Sequence, residues 1–399
     1  MKHIVKRVIV LTIIITGFCS CRLSKPGGKT ASLNDRLQSV LINAGKQYEF
    51  LSAQVPDSVF PKTFENGKYV FCKSGDWVSG FYPGTLMLIG SQTGNNKLYE
   101  LAKQKMKWLE KEQFNTRTHD LGFMMYCSFG NALEYEALDS YKRILINSAG
   151  SLASRFSPVV GAIRSWDSKP KEDFLVIIDN MMNLELLFWA TRHTGDTSYR
   201  NIAISHANTT LKYHFREDYS SFHVVNYNAL TGAVKERKTH QGAFDASAWA
   251  RGQAWGLYGY TVMYRETRDE KYLQAAEHIA SFILSQMPEN YIPAWDFNAP
   301  DANKFYKDAS AAAVIAAALL ELQQYSPSGA KQYIQVAENI LSSLIGEQYL
   351  AGYGQNGGFL LKHSVGHLPA KSEIDVPLTY ADYYFVEAVL RYLDLNNKR

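Results

Sequence analysis

From about Ala31 to the C-terminus, apolar residues recur every three or four positions in stretches separated by short polar turns, the period of helices buried along one face. The pattern predicts helices near 33–53, 81–94, 96–112, 120–135, 138–156, 179–193, 197–213, 246–266, 269–286, 308–325, 330–345 and 379–395, about twelve in all. Only 222–226 and 359–362 read as brief extended segments. No linker, low-complexity tract or compositional break follows Ala31, so residues 32–399 are expected to form one domain.

A weak internal repeat constrains how these helices assemble. Thr93-Gly94-Asn95, Thr194-Gly195-Asp196 and Thr267-Arg268-Asp269 each lead into a helix with a Tyr and, three or four residues on, an Ala: Tyr99 with Ala102, Tyr199 with Ala203, Tyr272 with Ala276. Tyr333 and Ala337 repeat the pair. Such pairs share a helix face, and each repeated helix follows another across a short loop, as in helical hairpins. About six stacked hairpins predict an all-α, closed (α/α)6 toroid, with an open helical solenoid as the competing arrangement. In a toroid the loops of one rim gather over a central cavity.

The N-terminus follows another pattern. Lys2, Lys6 and Arg7 precede an apolar run from Val8 to Phe18, too short to span a bilayer comfortably, which leads into Cys19-Ser20-Cys21. This order predicts a lipoprotein-type signal over residues 1–21, with Cys21 as the lipid-bearing residue and Cys19 as the alternative, then a flexible tether over 22–31. Plain signal-peptidase cleavage is the other reading. Both imply export, and no acidic residue follows Cys21 closely, which favours a membrane-anchored protein of the periplasm. Removing residues 1–20 takes away three cations and no acid, so the formal charge falls from +4 to about +1. No basic stripe suggests nucleic acid. Cys72 and Cys127 remain in the folded part, where lone cysteines usually serve as small apolar residues, so no disulfide is expected.

Aromatic residues reach 13%, an excess that would fill a large core or offer flat platforms to sugar rings. Position decides between these. Asp120 stands where the polar Arg117-Thr118-His119 enters the apolar Leu121-Gly122-Phe123-Met124, a place that also suits an N-cap. Asp179 is planted between Ile178 and, after Asn180, a Met pair. Desolvation there would raise its pKa and suit a general acid near neutral pH, although Asp-Asn also suits a helix start. The run from Thr239 to Gly256 places Arg251 and Trp255 four residues apart, where guanidinium and indole would face the same way. One could meet a carboxylate while the other stacks on a ring; a tight Gly/Ala helix crossing is the structural alternative. Trp77 and Trp166 fall on loops, where an uncovered indole is costly. His223, isolated on an extended stretch, reads as structural on its own. There is no Walker loop, HExxH, zinc-spaced Cys/His cluster or G-x-S-x-G elbow, so neither metal nor cofactor is expected.

Taken in order, three stretches resemble the unsaturated glucuronyl hydrolases, glycoside hydrolase family 88: His119-Asp120-Leu121-Gly122-Phe123, Ile178-Asp179-Asn180-Met181-Met182-Asn183, and the run from His240-Gln241-Gly242 to Trp249-Ala250-Arg251-Gly252-Gln253-Ala254-Trp255. The Trp77 loop, Ile163-Arg164-Ser165-Trp166-Asp167 and Tyr380-Ala381-Asp382-Tyr383-Tyr384 add to the match, which runs from about residue 75 to 390. The resemblance implies an (α/α)6 toroid that acts on oligosaccharides left by polysaccharide lyases. It implies hydration of the 4,5-double bond of the non-reducing-end uronate, with Asp179 as proton donor and Asp120 as the other essential acid. Trp77, Trp166, His223, Gln241, Arg251 and Trp255 match the family's sugar-binding positions, with His119 and His240 as neighbours. The segment 362–372 faces the leaving sugar on this reading, and its cations suit either sulfate or solvent. Glycosaminoglycan fragments are the expected substrates. The alternatives are pectin fragments, as for an unsaturated rhamnogalacturonyl hydrolase, a non-catalytic glycan-binding lipoprotein, and a helical-toroid lyase.

Overall fold

A computed structural model describes residues 31–168 and 170–397. The signal and all but the last residue of the tether thus lie outside the described residues. Twelve α-helices are present among those described: α1 (Leu33–Ser52), α2 (Phe81–Thr93), α3 (Asn96–Leu109), α4 (Asn131–Tyr135), α5 (Asp139–Ala153), α6 (Leu184–Thr194), α7 (Thr197–Tyr213), α8 (Ala250–Thr267), α9 (Glu270–Gln286), α10 (Ala309–Leu322), α11 (Ala330–Leu344) and α12 (Thr379–Asn397). The predicted helix at 120–135 begins instead as a π-helical segment, Gly122–Gly130, that passes into α4.

Burial separates two rings. In α2, α8 and α10 nearly every residue is buried, whereas α1, α3, α9 and α11 bury one face. A helix apolar all round belongs inside, and an amphipathic one outside. The inner ring is α2, the π segment with α4, α6, α8, α10 and α12; α12 packs against α2 and closes it, which excludes the open solenoid. The Ala-rich α10, with no side chain bulkier than Leu, Ile or Val until Glu321, lets its neighbours approach closely.

The repeated turns are helix caps. Gly94 and Gly195 end α2 and α6 in the left-handed conformation, and Arg268 ends α8 the same way at φ 58°. Asn95, Asp196 and Asp269 then accept backbone N–H groups at the starts of α3, α7 and α9. The repeated alanines, Ala102, Ala203, Ala276 and Ala337, are wholly buried where outer helices meet inner ones. Tight inner-to-outer turns therefore crowd one rim, and the six long outer-to-inner connections share the other.

Those long connections carry all the strands among the described residues. They are β1 (Phe60–Glu65) with β2 (Lys68–Cys72), β3 (Phe156–Ser157) with β4 (Ala162–Ile163), β5 (Asp173–Ile177) with β6 (Val224–Asn228) and β7 (Val234–Lys238), and β8 (Ser364–His367) with β9 (Ser372–Val376). All pair antiparallel. The extended segment expected at 222–226 is β6; the one expected at 359–362 is displaced to β8, two residues on, and Leu361 makes only an isolated bridge to Leu350. Cys72 and Cys127 are free thiols.

Candidate active site

Asp179 owes its position to a strand and two glycines. β5 runs directly into the 3-10 turn Ile178–Asn183 and pairs with β6 so that Ile177 faces Val224. One residue further, Ile178 N–H donates to the His223 carbonyl at 3.0 Å, and the His223 ring comes to lie beside Asp179. The turn is pressed from two sides: a Cβ on Gly122 would meet Asn183 at 2.6 Å, and one on Gly259 would meet Met181 at 2.5 Å. Any larger residue at either place would push the turn outward.

Asp179 is 8% exposed and its Oδ2 lies 3.5 Å from His223 Nε2 without an aligned hydrogen bond. Burial pushes its carboxyl up to about 7; the Arg251 guanidinium opposes the rise and the Asp120 charge adds to it. His223 Nδ1 faces two backbone donors, His240 N–H at 3.2 Å and Gln241 N–H at 3.1 Å, so it carries the lone pair. Burial holds the ring neutral, far below its usual pKa, which leaves the proton on Nε2, the atom turned toward Asp179.

Asp120 is not a helix cap. Its carboxylate accepts the Thr118 hydroxyl at 2.8 Å and lies 3.2 Å from His119 Nε2. His119 is anchored from behind, its Nδ1–H donating to the Ser165 carbonyl at 3.0 Å, one residue before Trp166. Trp166 is half-buried and stands edge-on to His240 and His223, at 5.1 and 6.1 Å between ring centres. Trp77, also half-buried, packs on Tyr380 at 4.9 Å and Phe123 at 5.5 Å.

Arg251 completes the enclosure. Its Nη1 donates to Asp308 Oδ2 at 2.8 Å and to the Val365 carbonyl at 2.6 Å, and its Nη2 donates to the Gly366 carbonyl at 2.8 Å. Gln241 Nε2 shares that Gly366 carbonyl at 3.0 Å, so α8, the loop before it and β8 meet at one peptide. Arg251 Nε, Trp255 Nε1, Tyr380 Oη, His223 Nε2 and Asp179 Oδ2 are buried polar atoms without a hydrogen bond. A buried polar atom left so is expensive, and four of them gathered around the unpaired Asp179 oxygen mark a place suited to a polar ligand.

No family model matches the chain. A relative from Formosa agariphila, an unsaturated glucuronyl hydrolase, is 46% identical over 363 residues, covering 88% of this chain and 90% of its own. The chain belongs to the unsaturated glucuronyl hydrolases. It is therefore a glycosidase with their single-domain toroid. The unsaturated glucuronyl hydrolase of Bacillus sp. is 32% identical over 334 residues, covering 82% of this chain and 88% of its own. The crystal structure of an unsaturated glucuronyl hydrolase specific for heparin superposes with a TM-score of 0.88 at 45% identity, over 91% of this chain and 98% of that one.

Within this unsaturated glucuronyl hydrolase fold, the ten residues singled out by sequence converge on one rim, though not all as expected. Trp255 is fully buried between Phe123 and Tyr384, each 5.3 Å away, so its indole N–H beside Asp179, rather than an open ring face, is what it turns to the site. His240 is exposed and its ring lies tilted against that of His367 at 4.5 Å, while the His367 Nε2–H donates to the His240 carbonyl at 2.7 Å. His223, structural by its isolation in sequence, is the ring next to Asp179. Two residues were missed. Tyr380 stood in a matching stretch without a role of its own. Asp308 reads from Asp308-Ala309-Ser310 as an ordinary N-cap, a signal that hides its second partner.

Proposed function

We propose that the enzyme hydrates the 4,5-double bond of the unsaturated uronate at the non-reducing end of glycosaminoglycan fragments, with those from heparin and heparan as the first candidates. The observation that carries this reading is Asp179, a buried carboxyl pushed up to about 7 with Oδ2 unpaired. Near neutral pH much of it holds a proton while little around it competes for that proton. Asp179 donates the proton to C4, and positive charge develops at C5 and the ring oxygen. The carboxylate left behind takes a proton from the water that adds at C5, and the resulting hemiketal opens and releases the remaining sugar. Asp120, held by the Thr118 hydroxyl, stabilises the developing charge and grips ring hydroxyls. The unpaired donors Arg251 Nε–H, Trp255 Nε1–H and Tyr380 Oη–H suit the acceptor-only oxygens of the uronate carboxylate.

The heparin preference is supported by the 45% identity to a heparin-specific hydrolase. The test is optical. On unsaturated heparin, chondroitin and rhamnogalacturonan disaccharides, ultraviolet absorbance is expected to fall, fastest on heparin. A rise would indicate a lyase, no change a binding protein, and a fall only on the pectin fragment would sink the glycosaminoglycan reading. Export as a lipoprotein remains part of the proposal: Cys21→Ser should shift the protein from the membrane to the soluble fraction, and an unchanged distribution would remove the anchor.

A further inference from the structure

Arg251 is 1% exposed and Asp308 fully buried, so water screens neither charge. The Asp308 carboxylate does two things at once. Its Oδ1 caps α10, accepting the Ser310 N–H at 3.0 Å and the Ser310 hydroxyl at 2.5 Å. Its Oδ2 holds Arg251 Nη1 at 2.8 Å. The guanidinium is further pinned by the Val365 and Gly366 carbonyls and lies over the Trp249 ring at 4.4 Å, so it has no room to swing.

Arg251 matters because of what faces Asp179. Around that carboxyl stand Arg251 and Trp255 from α8, Asp120 from the loop before the π segment, His223 at the start of β6, and Tyr380 from α12. Arg251 is the one fixed cation among them. Unneutralised, it would favour the Asp179 carboxylate and shrink the fraction that holds a proton to donate. A buried ion pair brings little net stability over an apolar pair of the same shape, so the consequence of this one is felt at its neighbour. We propose that Asp308 is a positioning residue for the hydration reaction: by pinning and neutralising Arg251, it keeps Asp179 protonated at neutral pH. This rests on the reading of Asp179 as the proton donor.

Asp308→Asn keeps the size and helix-capping ability of the side chain and removes its charge. The measurement is kcat/KM on an unsaturated heparin disaccharide across pH. The alkaline limb, where the acid loses its proton, should move down by about one pH unit, the scale on which a nearby opposite charge acts. Turnover should then fall about tenfold on the alkaline side and by less than about twofold on the acid side. A loss by the same factor at every pH would mean that Asp308 only supports the fold, and would overturn the proposal. Ser310→Ala weakens the same cap without changing charge and should leave the limb where it is; a limb that moved equally would also overturn it. If Asp308→Asn does not fold, Asp308→Ser, which keeps a capping hydroxyl, carries the same test. Asp179→Asn separates the two readings. Turnover retained in that variant defeats the reading of Asp179 itself, whereas a dead Asp179→Asn with an unmoved Asp308→Asn limb defeats only the role given to Asp308.

Discussion

Asp179 and Asp382 are both buried, and burial pushes both carboxyls up to about 7. Asp382, in the first turn of α12, accepts the Leu360 and Leu361 backbone N–H groups at 2.8 and 2.9 Å and the Tyr48 hydroxyl at 3.0 Å. It fastens the connection before β8 to α12 and α1, and nothing about it is left to be filled. Asp179 has an unpaired Oδ2, a neutral His223 turned toward it, and Asp120 and Arg251 near enough to move its charge in opposite directions. Burial alone therefore does not distinguish a working acid from a structural one. What distinguishes them is whether the hydrogen-bonding capacity is already spent.

The comparison breaks most directly at Asp179 itself. Asp179→Asn is expected to lower kcat about 10³-fold with the melting temperature unchanged or raised; retained activity would put the two aspartates in one class. A second effect follows from linkage. Both folded carboxyls lie above their unfolded value of about 4, so the native state holds protons that the unfolded chain has released. The stability they contribute is complete below about pH 4 and is lost as pH rises toward about 7. Denaturant unfolding of Asp179→Asn should accordingly improve relative to the parent across that window, and a constant difference would refute the elevated pKa.

Arg251→Lys keeps the charge but loses the fork. With about 1.5–3 kcal/mol for a hydrogen bond to a charged group, kcat/KM should fall by tenfold or more; unchanged turnover and binding would show that only the charge matters. Asp382→Asn turns an amide against backbone donors. It should cost about 1–3 kcal/mol of stability in denaturant titrations while kcat stays within about threefold, and a collapse of kcat in a folded variant would erase the distinction. The smallest effect belongs to the rim. Trp166→Ala should raise KM about fivefold with little change in kcat, in line with about 1 kcal/mol for one aromatic contact.

Much of this protein was legible from the chain alone because the relevant physics is local. Helical period and the paired C-cap and N-cap at Gly94-Asn95 and Gly195-Asp196 act within a few residues, so twelve helices and their hairpin order could be read directly. Asp179 could be singled out because an acid between Ile178 and a Met pair already implies desolvation. Apart from β6, the strands escaped because they are short and lie in connections between helices, where no two-residue alternation runs long enough to be seen. The role of His223 depends on the β5–β6 register, and the partnership of Arg251 with Asp308 spans 57 residues. A residue's period and cap are set by its neighbours in sequence. Which charges face one another at the rim is decided only when the ring of inner helices closes, since only then do the long connections share it.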